Sequence, residues 1–168
     1  MTLAEVNALD EAAFVRLLGG IYEHSPWVAQ RAHAQRPFAS VAALHAAMND
    51  VVARASEAEQ LALLRAHPEL AGKAAVRGEL TADSTQEQRG AGLTACSPAE
   101  YEALTTLNRR YVAKFGFPFI LAVKGYDRAG VIAEFARRVE HDRASEMAEC
   151  LAQVERIAGF RLAALVGD

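Results

Sequence analysis

One histidine stands out by its position in the chain. His67 comes at the end of a predicted helix and directly before Pro68. Because the helix macrodipole favours a positive charge at the C-terminal end, an imidazole there can stay protonated near neutral pH and act as a general acid. A histidine in this position can also be purely structural and interact only with the last carbonyl groups of the helix. The position of His67 leaves both interpretations open.

A second candidate acid–base group lies in the polar segment 84–88. Ser84 and Glu87 have the spacing of a capping box, in which the serine caps the helix and the glutamate bonds back to the cap. A helix N-terminus also presents free N–H groups that bind anionic ligands. The pattern therefore predicts a helix that begins at Ser84, with Glu87 in either a structural or a catalytic role.

Two further segments could contact a ligand. Residues 119–123 belong to an apolar run without a helical period, which is typical of core, but an extended backbone can offer N–H and C=O groups to a small polar molecule. Arg161 lies near the apolar stripe of the predicted last helix. Its side chain could reach water, pair with an acid such as Glu155 or Asp168, or bind the carboxylate of a ligand.

Signatures of metals and cofactors are missing from the sequence. There is no glycine-rich phosphate loop, and Cys96 and Cys150 lie far apart with no histidine at ligand spacing. We therefore expect no metal and no cofactor, so that any chemistry is done by side chains alone. The two cysteines provide no disulfide framework, which favours a reducing cytoplasm.

Helix start and stop signals predict an all-α fold around these residues. The predicted N-caps are Thr2, Asp10, Ser25, Ser40, Ser56, Ser84, Ser97, Asp127 and Asp142. Residues 68–83 lack a sustained period and predict a long irregular loop of the kind that often carries function. The run 117–123 has no partner strand, so we expect an extended segment threaded between helices. The sequence thus predicts one all-α domain, 1–168, of about eight helices.

The composition excludes several classes of protein. Hydrophobic residues make up 52% of the 168 residues, which is too apolar for a disordered chain. The net charge of −3 argues against nucleic acid or an anionic membrane as the main partner. No apolar run approaches the ~20 residues that span a bilayer, and residues 1–20 lack the features of a signal peptide. We therefore expect a small-molecule partner.

Several stretches, taken together, resemble the OHCU decarboxylase family. OHCU is 2-oxo-4-hydroxy-4-carboxy-5-ureidoimidazoline, an intermediate of urate breakdown. The resemblance covers essentially the whole chain and keeps the order and spacing of the motifs. The matching stretches are His67-Pro68-Glu69-Leu70-Ala71-Gly72-Lys73, residues 79–88, Phe115-Gly116-Phe117-Pro118-Phe119-Ile120, Ser25-Pro26-Trp27 and the leucine-rich final helix.

The resemblance implies an all-α, homodimeric, cofactor-free enzyme that converts OHCU to (S)-allantoin and CO₂ in purine catabolism. It implies that His67 is the proton donor and that Glu87 is a second catalytic residue, either as a base or as an orienting group. The implied substrate-binding residues are Pro68, Ser84, Thr85, Gln86, Glu87, Gln88, Phe119, Ile120, Leu121, Ala122, Val123 and Arg161.

Two other functions remain open at this point. The first is an enzyme that acts on a related ureido or imidazoline acid. The second is a non-catalytic helical module that binds small molecules, which is favoured if His67 and Glu87 are cap residues that face solvent.

Overall fold

The fold is built from helices. This computed structural model describes residues 1–167, and in that range the backbone forms ten α-helices, one 3-10 turn and an isolated bridge between Thr2 and Gly167. The all-α prediction is confirmed, and eight of the helices have seven residues or more. No described helix is long and apolar enough to cross a membrane. The helices are α1 (Leu3–Ala8), α2 (Glu11–Leu18), α3 (Trp27–His33), α4 (Val41–Ala53), α5 (Glu57–Ala66), α6 (Lys73–Arg77), α7 (Ala82–Gly90), α8 (Pro98–Phe115), α9 (Arg128–Arg138) and α10 (Arg143–Leu165), with the 3-10 turn at Leu93–Ala95.

The described residues form two compact units. The first contains Met1–Ala66 and the described residues from Glu155 onward, and the second contains His67–Val154. In the first unit, α3 packs against α2 and α4, and the core includes Phe14, Leu44 and Met48. In the second, α8 packs against α9. The boundary 1–168 of a single domain stays a prediction.

Most predicted helix starts are confirmed, because the cap side chains accept the expected backbone N–H bonds. Reciprocal capping boxes form at Thr2, Ser56 and Ser97, and single side-chain caps form at Asp10, Ser40, Asp127 and Asp142. The predicted cap at Ser25 is wrong. Pro26 already has helical dihedral angles, and the Ser25 hydroxyl donates locally to the carbonyl of Glu23 at 2.9 Å.

The region 68–83 is more regular than the sequence predicts. The short helix α6 lies inside it, and α7 begins at Ala82 with Thr81 as its N-cap. The Thr81 hydroxyl accepts the N–H of Ser84 at 3.2 Å, so Ser84 lies within the helix and the predicted Ser84–Glu87 capping box is wrong. The earlier start places Ser84 and Gln88, one turn apart, on the buried face of α7.

The extended segment 117–123 is confirmed. It forms no strand, and every one of its residues is buried. The ring of Phe119 stacks on Phe135 of α9 with centroids 3.9 Å apart, and its edge meets Tyr111 of α8 at 5.5 Å. Aromatic packing from two helices therefore holds a segment that has no strand partner.

Candidate functional site

His67 begins a short turn, residues 67–72, that connects α5 to α6 and is called the His67 turn below. His67 is only 8% exposed, so it is not a cap residue that faces solvent. Leu70 and Ala71 are buried as well. Ala71 has a φ of +50°, a left-handed conformation that residues with a Cβ seldom adopt. The turn is therefore a buried and conformationally constrained setting for the imidazole.

Side chains from α7 and α8 satisfy the backbone of the His67 turn. The Gln88 amide accepts the N–H of Ala71 at 2.9 Å and donates to the carbonyl of Glu69 at 3.3 Å. Asn108 of α8 donates through Nδ2 to the carbonyl of Leu70 at 2.9 Å. Gln88 and Asn108 are both buried. Two helices thus fix three consecutive residues of the turn.

The polar segment 84–88 lies on α7, and its side chains differ in their exposure to solvent. Ser84 and Gln88 are buried, Thr85 and Glu87 are half-buried, and Gln86 is exposed. The Thr85 hydroxyl donates to the carbonyl of Thr81 at 2.9 Å. Because Thr81 caps the helix, Glu87 does not form the capping box with Ser84 that the sequence predicts. The substrate-binding roles of these residues stay predictions.

A cleft of about 520 Å³ lies beside the His67 turn. Thr85 and Gln88 of α7 contribute to its wall, whereas His67, Glu87 and residues 119–123 are not among its lining residues. Most of the other residues that line the cleft have apolar side chains. They are Ala71, Ala75, Val76, Leu80, Leu93, Pro98 and Tyr101.

The backbone of the segment 119–123 already has several protein partners. The Ile120 carbonyl accepts from Arg138 Nη1 at 2.7 Å, and the Ala122 N–H donates to Gln153 Oε1 at 2.9 Å. The Val123 carbonyl accepts from the N–H of Tyr126 at 2.9 Å. The segment is therefore rigidly placed, and its role in binding substrate stays a prediction.

A buried ion pair supports this segment. Arg138 and Glu146 have no exposed side-chain surface, and Arg138 Nε lies 2.9 Å from Glu146 Oε1. The Tyr111 hydroxyl donates to the same carboxylate oxygen at 2.7 Å and lies 3.3 Å from Cys150 Sγ. Burial raises the pKa of the Tyr111 phenol and of the Cys150 thiol, so both stay protonated at neutral pH. The charge of Arg138 is thus balanced by Glu146.

Arg161 belongs to the first unit and is buried there. Its Nη1 atom donates to Glu23 Oε2 at 2.8 Å and to the carbonyl of Ile21 at 3.4 Å. Of the alternatives that the sequence left open, a side chain that reaches water is therefore wrong. The acid that pairs with it is Glu23, which the sequence analysis did not name, and Asp168 lies outside the described residues. Whether Arg161 also binds substrate stays a prediction.

Within 1–167, no three histidine, cysteine, aspartate or glutamate side chains cluster as ligands of a metal ion would. The expectation that neither a metal nor a cofactor takes part stays a prediction.

Comparison with known proteins assigns the chain to a family. The sequence profile of the OHCU decarboxylase family matches residues 7–163. The chain belongs to this family. It is 46% identical over 163 residues to the 2-oxo-4-hydroxy-4-carboxy-5-ureidoimidazoline decarboxylase of Haloferax volcanii, a match that covers 97% of this chain and 95% of the relative. The enzyme of the same name from Halalkalicoccus jeotgali is 43% identical and is matched over 96% and 90% of the two chains.

A solved structure of an (S)-allantoin synthase has a similar fold. It superposes with a TM-score of 0.78 at 31% sequence identity. The match covers 99% of this chain but 54% of that one, so this chain spans about half the length of the solved protein.

Sequence reasoning missed two features of this OHCU decarboxylase family member. The first is the pair Arg138–Glu146, although both residues fall on apolar stripes, three residues after Phe135 and four before Cys150. Opposite charges on two such stripes are a signal that could have predicted the pair. The second is the pairing of Arg161 with Glu23, for which the sequence holds no local signal because the two residues are distant in the chain.

Proposed function

We propose that this protein is a carboxy-lyase that converts OHCU to (S)-allantoin and CO₂ in urate degradation. The observation that supports this function most directly is the family match over residues 7–163. Two relatives matched along nearly their whole length are named as decarboxylases of this substrate. A similar solved structure bears the name (S)-allantoin synthase.

The substrate supplies its own electron sink. When the C4–carboxylate bond breaks, its electrons form a C4=C5 double bond, and the former C5=N electrons move to the ring nitrogen, which takes a proton. The C4 hydroxyl then loses its proton to give the carbonyl of allantoin, and C5 takes a proton. Two protons are gained and one is lost, so the carboxylate substrate consumes one proton overall. No metal or organic cofactor is required by this balance.

In this proposal His67 delivers the proton to C5. Protonation must occur on one face to give one enantiomer, so the donor needs a fixed position. The burial of His67 and the hydrogen bonds that hold its turn support this role.

Glu87 acts on the C4 hydroxyl in the same scheme. It accepts a hydrogen bond from that group and thereby orients it for loss of its proton. The position of Glu87 supports this role, because it is half-buried on α7 and directly precedes Gln88, whose side chain bonds the His67 turn.

The remaining proposed contacts bind and orient the substrate. Pro68, residues 84–88 and residues 119–123 surround the ligand in this proposal, and Arg161 binds one of its anionic or carbonyl oxygens. A guanidinium suits that task because its planar fork matches two oxygens at once.

We also propose that the protein works as a homodimer in the cytoplasm, as the family resemblance implies. Both cysteines of the chain are free thiols, which suits a reducing compartment. Light scattering on the purified protein tests the dimer, and a mass equal to one chain would overturn it.

Freshly prepared OHCU provides the test of the reaction. We expect the purified protein to release CO₂ faster than a no-enzyme control and to give allantoin with the circular dichroism of the S enantiomer. The activity should survive EDTA and extensive dialysis. Racemic allantoin at the control rate would overturn the proposed function, and an activity restored only by a divalent ion would overturn the cofactor-free mechanism.

The same assay separates the two alternatives. An enzyme for a related ureido or imidazoline acid would leave OHCU at its spontaneous rate but turn over that acid. A non-catalytic module would bind allantoin in calorimetry without accelerating either reaction.

A further inference from the structure

The His67 turn receives hydrogen bonds from side chains of α7 and α8, in addition to the backbone bond from the Gly72 N–H to the Glu69 carbonyl at 3.4 Å. Residues 69–71 lie outside any helix or strand, so their buried peptide groups need other partners. Gln88 provides two of these bonds and Asn108 provides one. These bonds attach the turn to two different helices of the same unit, α7 and α8.

The two polar atoms of the Asn108 amide differ in their hydrogen bonding. Its Nδ2 donates to the Leu70 carbonyl at 2.9 Å, while its Oδ1 is buried and has no hydrogen-bond partner among the described residues. Burying an unpaired acceptor costs free energy that an apolar side chain of similar size would avoid at that atom. The bond to Leu70 is therefore the contact that explains an asparagine at this position.

The bond from Asn108 to Leu70 lies next to a strained residue of the turn. Leu70 lies three residues after His67, and the next residue, Ala71, has the left-handed φ of +50°. A conformation that alanine disfavours persists only where surrounding contacts impose it. Asn108 and Gln88 bond the two ends of the peptide group that precedes the strained residue, because Asn108 donates to the Leu70 carbonyl and Gln88 accepts the Ala71 N–H.

We propose that Asn108 is a positioning residue that fixes the His67 turn, and with it the direction in which His67 delivers its proton. This inference rests on the proposed function of His67 as proton donor. Asn108 acts through the turn and touches no substrate atom. A displacement of a reacting group by ~1 Å can cost about 10²-fold in rate, so a looser turn should lower kcat more than it raises KM.

The test compares three variants of the full chain. Asn108→Leu keeps the approximate size and removes the donor, and Asn108→Ser provides a smaller polar variant that cannot reach Leu70. Val131→Ala is the control, because Val131 lies in the core of the same unit on α9 and should lower stability without loosening the turn. Thermal unfolding, kcat, KM and the enantiomeric composition of the allantoin are measured for each, at enzyme concentrations where spontaneous decay is negligible.

We expect both Asn108 variants to lose roughly 10- to 10²-fold in kcat with KM within about threefold of the parent. Their allantoin should contain more of the R enantiomer, while Val131→Ala should keep both kcat and stereochemistry at a comparable loss of melting temperature. A folded Asn108→Leu or Asn108→Ser protein with the parent kcat and stereochemistry would overturn the inference.

A second measurement separates this inference from the proposed function. The imidazole signals of His67 are assigned by their absence from the NMR spectrum of His67→Asn. If the parent protein fails to convert OHCU, the proposed function fails, and the inference is judged on those signals alone. Shifted or broadened His67 signals in Asn108→Leu would support it, and signals identical to those of the parent would overturn it.

Discussion

Arg138 Nη1 lies 2.7 Å from the carbonyl oxygen of Ile120, in the middle of the extended segment 117–123. The same guanidinium lies 4.4 Å from the ring centroid of Phe119 and pairs with Glu146 in the core. A backbone segment without strand partners is thus held by a buried cation. The cation is tolerated there because a carboxylate balances its charge.

The first prediction concerns the stability that this pair provides. We expect Arg138→Met to lower the free energy of unfolding by about 3–5 kcal/mol, because Glu146 stays buried but loses the guanidinium that balances its charge. The neighbouring Arg137→Met is the matched control, since Arg137 pairs with Glu134 at the surface and should matter little. Urea unfolding measures both, and equal losses would contradict the assigned role of Arg138.

The second prediction concerns His67. His67→Asn should fold normally but form allantoin at the spontaneous rate and as a racemate, because the proposed proton donor is lost. Stopped assays for CO₂ and circular dichroism of the product measure the two effects. Turnover near that of the parent by a well-folded His67→Asn protein would remove His67 from the catalytic role.

The third prediction concerns Glu87. Glutamine keeps the size of the side chain but removes its charge, so Glu87→Gln should reduce the rate by roughly 10²-fold or more, as for a positioned acid–base group, and by more than any change in melting temperature explains. Glu100→Ala provides the contrast, since Glu100 is a true capping-box partner of Ser97 and should lower stability without a comparable loss of rate. Unchanged activity in Glu87→Gln would return this residue to a structural role.

The fourth prediction concerns Arg161. Arg161→Lys keeps the charge near Glu23 but loses the planar fork, so we expect substrate binding to weaken by ~1–3 kcal/mol, as for a charge-assisted hydrogen bond. The effect should appear as a raised KM or a lowered kcat that exceeds any change in melting temperature. A variant that melts early with intact kinetics would show that Arg161 serves the pair with Glu23 alone.

The fifth prediction concerns acid stability. The Arg31 guanidinium, together with the Ser56 cap, lowers the pKa of Glu59 from 4.5 to about 2. A carboxyl with a lowered pKa in the folded state stabilises the fold above its unfolded pKa, and this contribution is lost as the pH falls from about 4.5 toward 2. The difference in urea midpoint between the parent and Glu59→Gln should therefore be constant above pH ~4.5 and shrink below it. A difference that does not change with pH would contradict this.

Local sequence determined the helical character of the chain and most helix starts. Thr2, Ser40, Ser97 and Asp127 cap helices in the structure because a cap bond joins residues only three positions apart and needs no distant partner. The same local logic failed at Ser84. Thr81 and Ser84 are both possible caps and lie three residues apart. The helix that begins after Thr81 is the one that buries Ser84 and Gln88 in the second unit.

The contacts around the candidate site were decided by tertiary structure. The His67-Pro68 motif and its family are visible in the sequence, but the bonds from Gln88 to Ala71 and from Asn108 to Leu70 join residues 17 and 38 positions apart. Glu23 and Arg161 are 138 positions apart. Buried polar groups take whichever partners the packing brings within reach, and no period or spacing in the chain encodes that choice.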